Sequence, residues 1–113
     1  MGVFVISKRS NGDFHFNLKS GNGQIVLTSQ GYSSKISCEN GIESVRINSQ
    51  DESKFDFKIA SNGKFYFVLK ASNGQIIGTS EMYESESTLR SAIGPVKIVT
   101  QDAIVKDMSL VNA

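Results

Sequence analysis

A chain of 113 residues is the size of one domain, able to bury roughly 65% of its unfolded surface around a single core. With 39% hydrophobic residues, 20% charged residues and one proline, the composition excludes a disordered tail, and a net charge of +1 excludes a global field that draws nucleic acid or anionic membrane. The lone Cys38 excludes an intramolecular disulfide, no apolar run approaches the roughly 20 residues of a membrane span, and the short apolar run at 3–6 lacks the length of a signal peptide, so a cytoplasmic chain is expected.

In chain order, Phe4-Val5-Ile6 and then Phe14-His15-Phe16-Asn17-Leu18-Lys19 alternate with period two. That alternation predicts two strands and sets Phe14, Phe16 and Leu18 on one face. Asn11-Gly12 between them reads as a two-residue hairpin loop whose residues tolerate positive φ, and Asn22-Gly23 reverses the chain again into a third strand over 24–29. After Tyr32 the period changes: Cys38, Gly41, Ile42 and Val45 sit at i, i+3, i+4 and i+7, the stripe of an amphipathic helix, with Ser34 as its N-cap.

The strand read over 52–60 carries Phe55 and Phe57 in alternation, and the earlier elements then recur. Phe65, Phe67 and Leu69 repeat Phe14, Phe16 and Leu18, and Asn73-Gly74-Gln75-Ile76 repeats Asn22-Gly23-Gln24-Ile25. Leu89, Ala92, Ile93 and Val96 form a second helix stripe capped by Ser85. Gly94-Pro95 predicts that this helix stops near Ile93, because a proline ring removes a backbone donor and clashes with the preceding turn. The tail over 103–109 reads as a last strand.

Sliding residues 10–51 onto 61–102, an offset of 51 (Ser61 minus Ser10), gives 20 identities in 42 positions without a gap. The chain is therefore a tandem duplication. It reads as one domain of two repeats, 3–51 and 52–113, with the strand 52–60 ending the first and beginning the second. The class expected is α+β: a βββα-βββα-β order forming one antiparallel sheet with both helices on one face. Gly41 and Ala92, the small members of the stripes, should face the sheet.

The pattern Phe-x-Phe-x-Leu-Lys, then Asn-Gly-Gln-Ile, Thr-Ser, Tyr and a helix bearing Gly-Ile-x-Ser-Val resembles the YegP-like family of small bacterial proteins of unknown function, over 4–99 and twice in order. The resemblance implies a pseudo-dimer: a fused pair of repeats making one sheet with exchanged C-terminal strands. It implies no activity or catalytic residue.

Chemistry is sparse in the residues themselves. His15 stands on a strand where the other copy has Tyr66, without a Cys, Asp or second His at ligand spacing, so a solvated strand histidine is expected rather than a general base. Cys38 matches Leu89 on the buried stripe and reads as a small apolar filler. Gly21-Asn22-Gly23 is turn chemistry and lacks the third glycine of a phosphate loop. Lys19/Lys70, Gln24/Gln75, Thr28/Thr79, Ser29/Ser80 and Tyr32/Tyr83 survive in both copies and read chiefly as structural.

No catalytic, cofactor or metal site is therefore expected, and the chain reads as a non-enzymatic interaction module. If the phenylalanine face meets the helices, then His15, Asn17, Lys19, Tyr66, Val68 and Lys70 face away and form the candidate surface, with a protein the expected partner, no membrane contact, and a monomer the expected state. The alternative is a single-stranded nucleic-acid binder, with Tyr66 and His15 stacking bases and the lysines on phosphates.

Overall fold

The hairpins close where the Asn-Gly pairs stand. Asn11 and Asn62 turn their side-chain oxygens onto the backbone N–H two residues on, at 2.9 and 3.0 Å, and Asn22 and Asn73 do the same at 3.0 Å. Among the described residues only the four hairpin glycines, Gly12, Gly23, Gly63 and Gly74, carry positive φ, from 84° at Gly63 to 92° at Gly12. The first turn runs from Arg9 to Gly12, with the Gly12 N–H on the Arg9 carbonyl at 2.9 Å. It is therefore a turn followed by a left-handed glycine, not the two-residue loop expected, because the asparagine side chain caps the turn instead of entering the left-handed region.

The computed structural model describes residues 2–109; the last four residues of the second repeat as read, 110–113, lie outside them. Strands β1 (Val3–Lys8), β2 (Phe14–Lys19) and β3 (Ile25–Thr28) precede helix α1 (Lys35–Asn48). After a 3-10 turn at Glu52–Lys54 come β4 (Phe55–Ile59), β5 (Phe65–Lys70), β6 (Ile76–Thr79), α2 (Glu86–Ser91), α3 (Ile93–Asp102) and β7 (Ile104–Asp107). Among the described residues they form one seven-stranded sheet in the order β4-β5-β6-β3-β2-β1-β7. The α+β class and the duplicated unit are as expected.

Three features differ from the sequence reading. The strand expected to be shared between the repeats does not lie between them: β4 pairs with β5 alone and stands at the sheet edge, and the halves meet at β3 and β6. The last strand does dock back on the first repeat, but β7 runs parallel to β1, so the sheet is mixed. Finally, the second helix does not end near Ile93. It breaks between Ser91 and Ile93 and continues to Asp102. The N–H that Pro95 lacks would have bonded the Ser91 carbonyl, so the break falls there, and Pro95 sits in the first turn of α3, where no donor is needed.

The core lies between the helices and one sheet face: Phe4, Ile6, Phe16, Leu18, Leu27, Phe67 and Leu69 meet Cys38, Ile42, Val45, Leu89 and Val96. Ser34 and Ser85 cap α1 and α2, each accepting an N–H three residues on at 3.1 Å. The Tyr32 ring, stacked on Phe16 at 6.4 Å, lies under Gly41. An added Cβ at Gly41 would come 2.7 Å from Tyr32 Cζ, so Gly41→Ala should cost about 1–3 kcal/mol of unfolding free energy in a urea titration. Deleting residues 103–113 uncovers the β1 edge; analytical ultracentrifugation should show self-association or aggregation, with a lowered melting temperature.

Candidate interaction face

With all helices on one side, the opposite sheet face is uncovered by any element among the described residues. Registered pairs run across it in one row: Asp56, Val68, Thr79, Thr28, Asn17, Val5 and Lys106. Thr28 and Thr79 occupy equivalent positions in the two repeats and are paired with each other, so the pseudo-twofold relation between the halves passes between them.

Alternation brings the expected residues to this face, though not to one patch. His15, Asn17 and Lys19 lie on β2, Tyr66, Val68 and Lys70 on β5, and three strand spacings of about 4.8 Å each separate the two strands. Val68, expected to meet a partner, is only 3% exposed. It stands between Asp56 and Thr79 in the row, and Asp56 is bound by Lys70 at 3.1 Å and Lys58 at 3.5 Å, so cross-strand neighbours cover it. These two lysines hold the Asp56 carboxyl below the usual range, the Lys70 hydrogen bond most strongly.

Two residues that sequence reasoning missed join the face. Lys58 is opposite Tyr66, and Lys106 is opposite Val5. Lys58 could have been found from the alternation of Phe55 and Phe57; Lys106 could not, since its place depends on the parallel docking of β7. The face thus carries Lys19, Lys58, Lys70 and Lys106 against Asp56, and Lys19 and Lys106 form no ion pair among the described residues.

The retained polar pairs are mostly spent on the fold. Ser29 Oγ accepts the Phe16 N–H at 2.8 Å and donates to the Gln30 carbonyl at 2.8 Å, and Ser80 repeats this with Phe67 and Glu81 at 2.9 and 2.8 Å. The backbones of Tyr32 and Tyr83 bridge to those of Phe14 and Phe65. Cys38 is buried, and burial first, then the Glu39 and Asp107 carboxylates, push its thiol up to about 11, which leaves it protonated and unreactive. No cluster of three metal-ligating side chains occurs among the described residues, and none of their helices is long and apolar enough to cross a membrane.

Two segments, residues 10–56 and 60–107, match the family model described as a domain of unknown function, DUF1508. The UPF0339 protein YegP of Escherichia coli K12 is 51% identical over 106 residues, 94% of this chain and 96% of that protein. A UPF0339 protein of Pseudomonas aeruginosa is 48% identical over the same shares. The solution NMR structure of YegP from E. coli, a protein of unknown function, superposes with a TM-score of 0.91 at 50% identity, covering 98% of this chain and 96% of that one. That of a UPF0339 protein from Shewanella oneidensis has a TM-score of 0.91 at 44% identity, covering 98% and 94%.

His15 is the one titratable side chain here with an unbonded, buried nitrogen, Nδ1. Burial, then the charge of Arg9, lowers its pKa from the ordinary 6.5. Below that value the unfolded chain takes up a proton that the folded one resists, so stability should fall as pH drops from 7 towards 5. The aspartates with lowered values act only below about pH 4. Thermal melts of wild type and His15→Tyr, which installs the residue of the other repeat, should diverge over pH 5–7, with the variant the flatter.

Proposed function

We propose that this chain, which belongs to the family described as a domain of unknown function (DUF1508), is a non-enzymatic module that holds another protein by an acidic surface laid across its open sheet face. The observation that carries the reading is a local charge excess on a nearly neutral chain: four lysines against one aspartate on a face that no helix covers. Lys58 and Lys70 are partly neutralised by Asp56, so Lys19 and Lys106 supply most of the attraction. Among the residues retained in both copies, Ser29, Ser80 and Tyr32 are engaged in backbone bonds or packing, which favours a binding surface over a reaction centre.

Single-stranded nucleic acid would use the same lysines. His15 and Tyr66, however, lie three strand spacings apart and on opposite sides of the Asn17–Val68 row, roughly 20 Å from each other, too far to stack adjacent bases as one platform. The discriminating experiment immobilises wild type and Lys19→Glu/Lys106→Glu, compares what each retains from a bacterial lysate, and titrates both with labelled oligothymidine. One or more acidic proteins should be retained by the wild type alone, while stability shifts by no more than about 0.5 kcal/mol. Steeply salt-dependent oligothymidine binding that the variant loses would replace this reading with the nucleic-acid one; identical retention and no such binding would sink both.

A further inference from the structure

The two sheet edges are unlike, although the repeats are alike. The outer edge of β1 is closed by β7 and the residue after it: the Ile104 and Met108 N–H groups donate to the Gly2 and Ile6 carbonyls at 3.2 and 2.8 Å. Shifting by 51 residues puts Ser53, in the 3-10 turn before β4, and Phe57, on β4, in the places of Gly2 and Ile6, and no strand among the described residues lies along the outer edge of β4.

At the β1 edge, Val105 of β7 stands beside Glu39, Asn40, Ile42 and Glu43, and Asp107 pairs with Lys35 at 2.8 Å. At the β4 edge the counterparts of Glu39, Ile42 and Glu43 are Arg90, Ile93 and Gly94, and these three, with Glu52, Phe55 and Phe57, line a cavity of about 210 Å³. The cavity therefore lies where the counterpart of the Val105 side chain would sit. Arg90 is stacked 4.5 Å above the Phe57 ring and bound to Glu86 at 3.0 Å, and Glu86 is the counterpart of Lys35.

We propose that the outer edge of β4 is a docking slot for an extended peptide segment of a partner protein. The segment lies parallel to β4, puts an apolar side chain into the cavity beside Gly94, and two residues later puts a basic side chain against Glu86. Backbone bonds to an open edge supply attachment, and the alternate side chains supply selectivity. The reversal from Lys35 to Glu86 disfavours this chain's own tail as the occupant, since the carboxylate in the place of Asp107 would then face that of Glu86. The slot is a separate surface from the open face, and neither reading rests on the other.

The test titrates the isotope-labelled full chain, followed by NMR, with two blocked hexapeptides at millimolar concentration. One is Ala-Ile-Val-Lys-Asp-Met, the sequence of residues 103–108, and the other replaces its Asp with Lys. Shifts confined to 52–59 and 86–94 are expected, with the lysine peptide bound roughly five-fold tighter and the order reversed in Glu86→Lys. Gly94→Leu should abolish binding without lowering the melting temperature, because Gly94 lines the cavity and an added Cβ there meets no atom within 4 Å. Absent shifts, an equal response to both peptides, or shifts elsewhere would overturn the proposal. So would concentration-dependent shifts of β4 without peptide, which would mean that a second copy takes the edge.

Discussion

Thr28 with Thr79 is the one registered residue pair through which the two repeats touch between β3 and β6, and a joint that small would hinge if it stood alone. What prevents this is the strand that the second repeat lends to the first. β7 adds four registered pairs along β1, and the Arg46 guanidinium binds the carbonyls of Thr100 and Ala103, both at 2.7 Å, while lying 5.0 Å from the Phe4 ring. Between the helices the hydroxyls of Ser49 and Thr100 meet at 2.8 Å, both fully buried. Those two residues are also equivalents at the 51-residue offset, so the pseudo-twofold relation is closed by a hydroxyl pair on the helix side and a threonine pair on the open side. The hydroxyl pair satisfies polar atoms that burial would otherwise penalise.

The same loan accounts for the asymmetry of the sheet. After α3 the chain is free to run along the outside of β1. After α1 it must instead become the first strand of the second repeat, reached through the Asp51-capped turn Glu52–Lys54. One segment cannot pair with β5 and also lie outside itself, so fusing two repeats in tandem leaves one outer position unfilled. The open edge is thus a consequence of connectivity. Edge strands are sites where foreign backbone adds unless charge or shape prevents it, and Asp56 and Lys58 on the uncovered face are the charged side chains that β4 itself supplies.

Local signals were legible in the sequence and pairing partners were not. Period-two alternation located β1, β2, β4 and β5, the Asn-Gly pairs located the hairpins, and Ser34 and Ser85 marked where the helices begin. Each of these is decided within a few residues. The parallel sense of β7 and the edge position of β4 are decided by where α1 and α3 deliver the chain, which no alternation encodes. Pro95 misled because its lost donor was read as an end, whereas the gap falls at Ser91 and a new first turn absorbs it. The side of the sheet taken by His15, Lys19 and Tyr66 followed from alternation, while the burial of Val68 and the separation of the two groups required the strand order.

Agreement between the repeats and difference between them carry unlike information. Where both copies keep a residue, as at Thr28/Thr79, Ser29/Ser80 and Tyr32/Tyr83, the geometry shows a duty that the fold needs twice: the central pair, the backbone-bridging hydroxyl, the strand-to-helix corner. Once a duplicated fold has met those duties, it has no structural reason to differ at exposed positions related by the offset. Yet Lys35 faces Asp107 where Glu86 faces an open edge, Glu39 becomes Arg90, and Glu43 becomes Gly94. These three changes lie along one edge, on the side where one repeat has its strand and the other has none. Reversing the charge beside the unfilled position changes which segment that edge can take without altering the bonds that the fold itself uses.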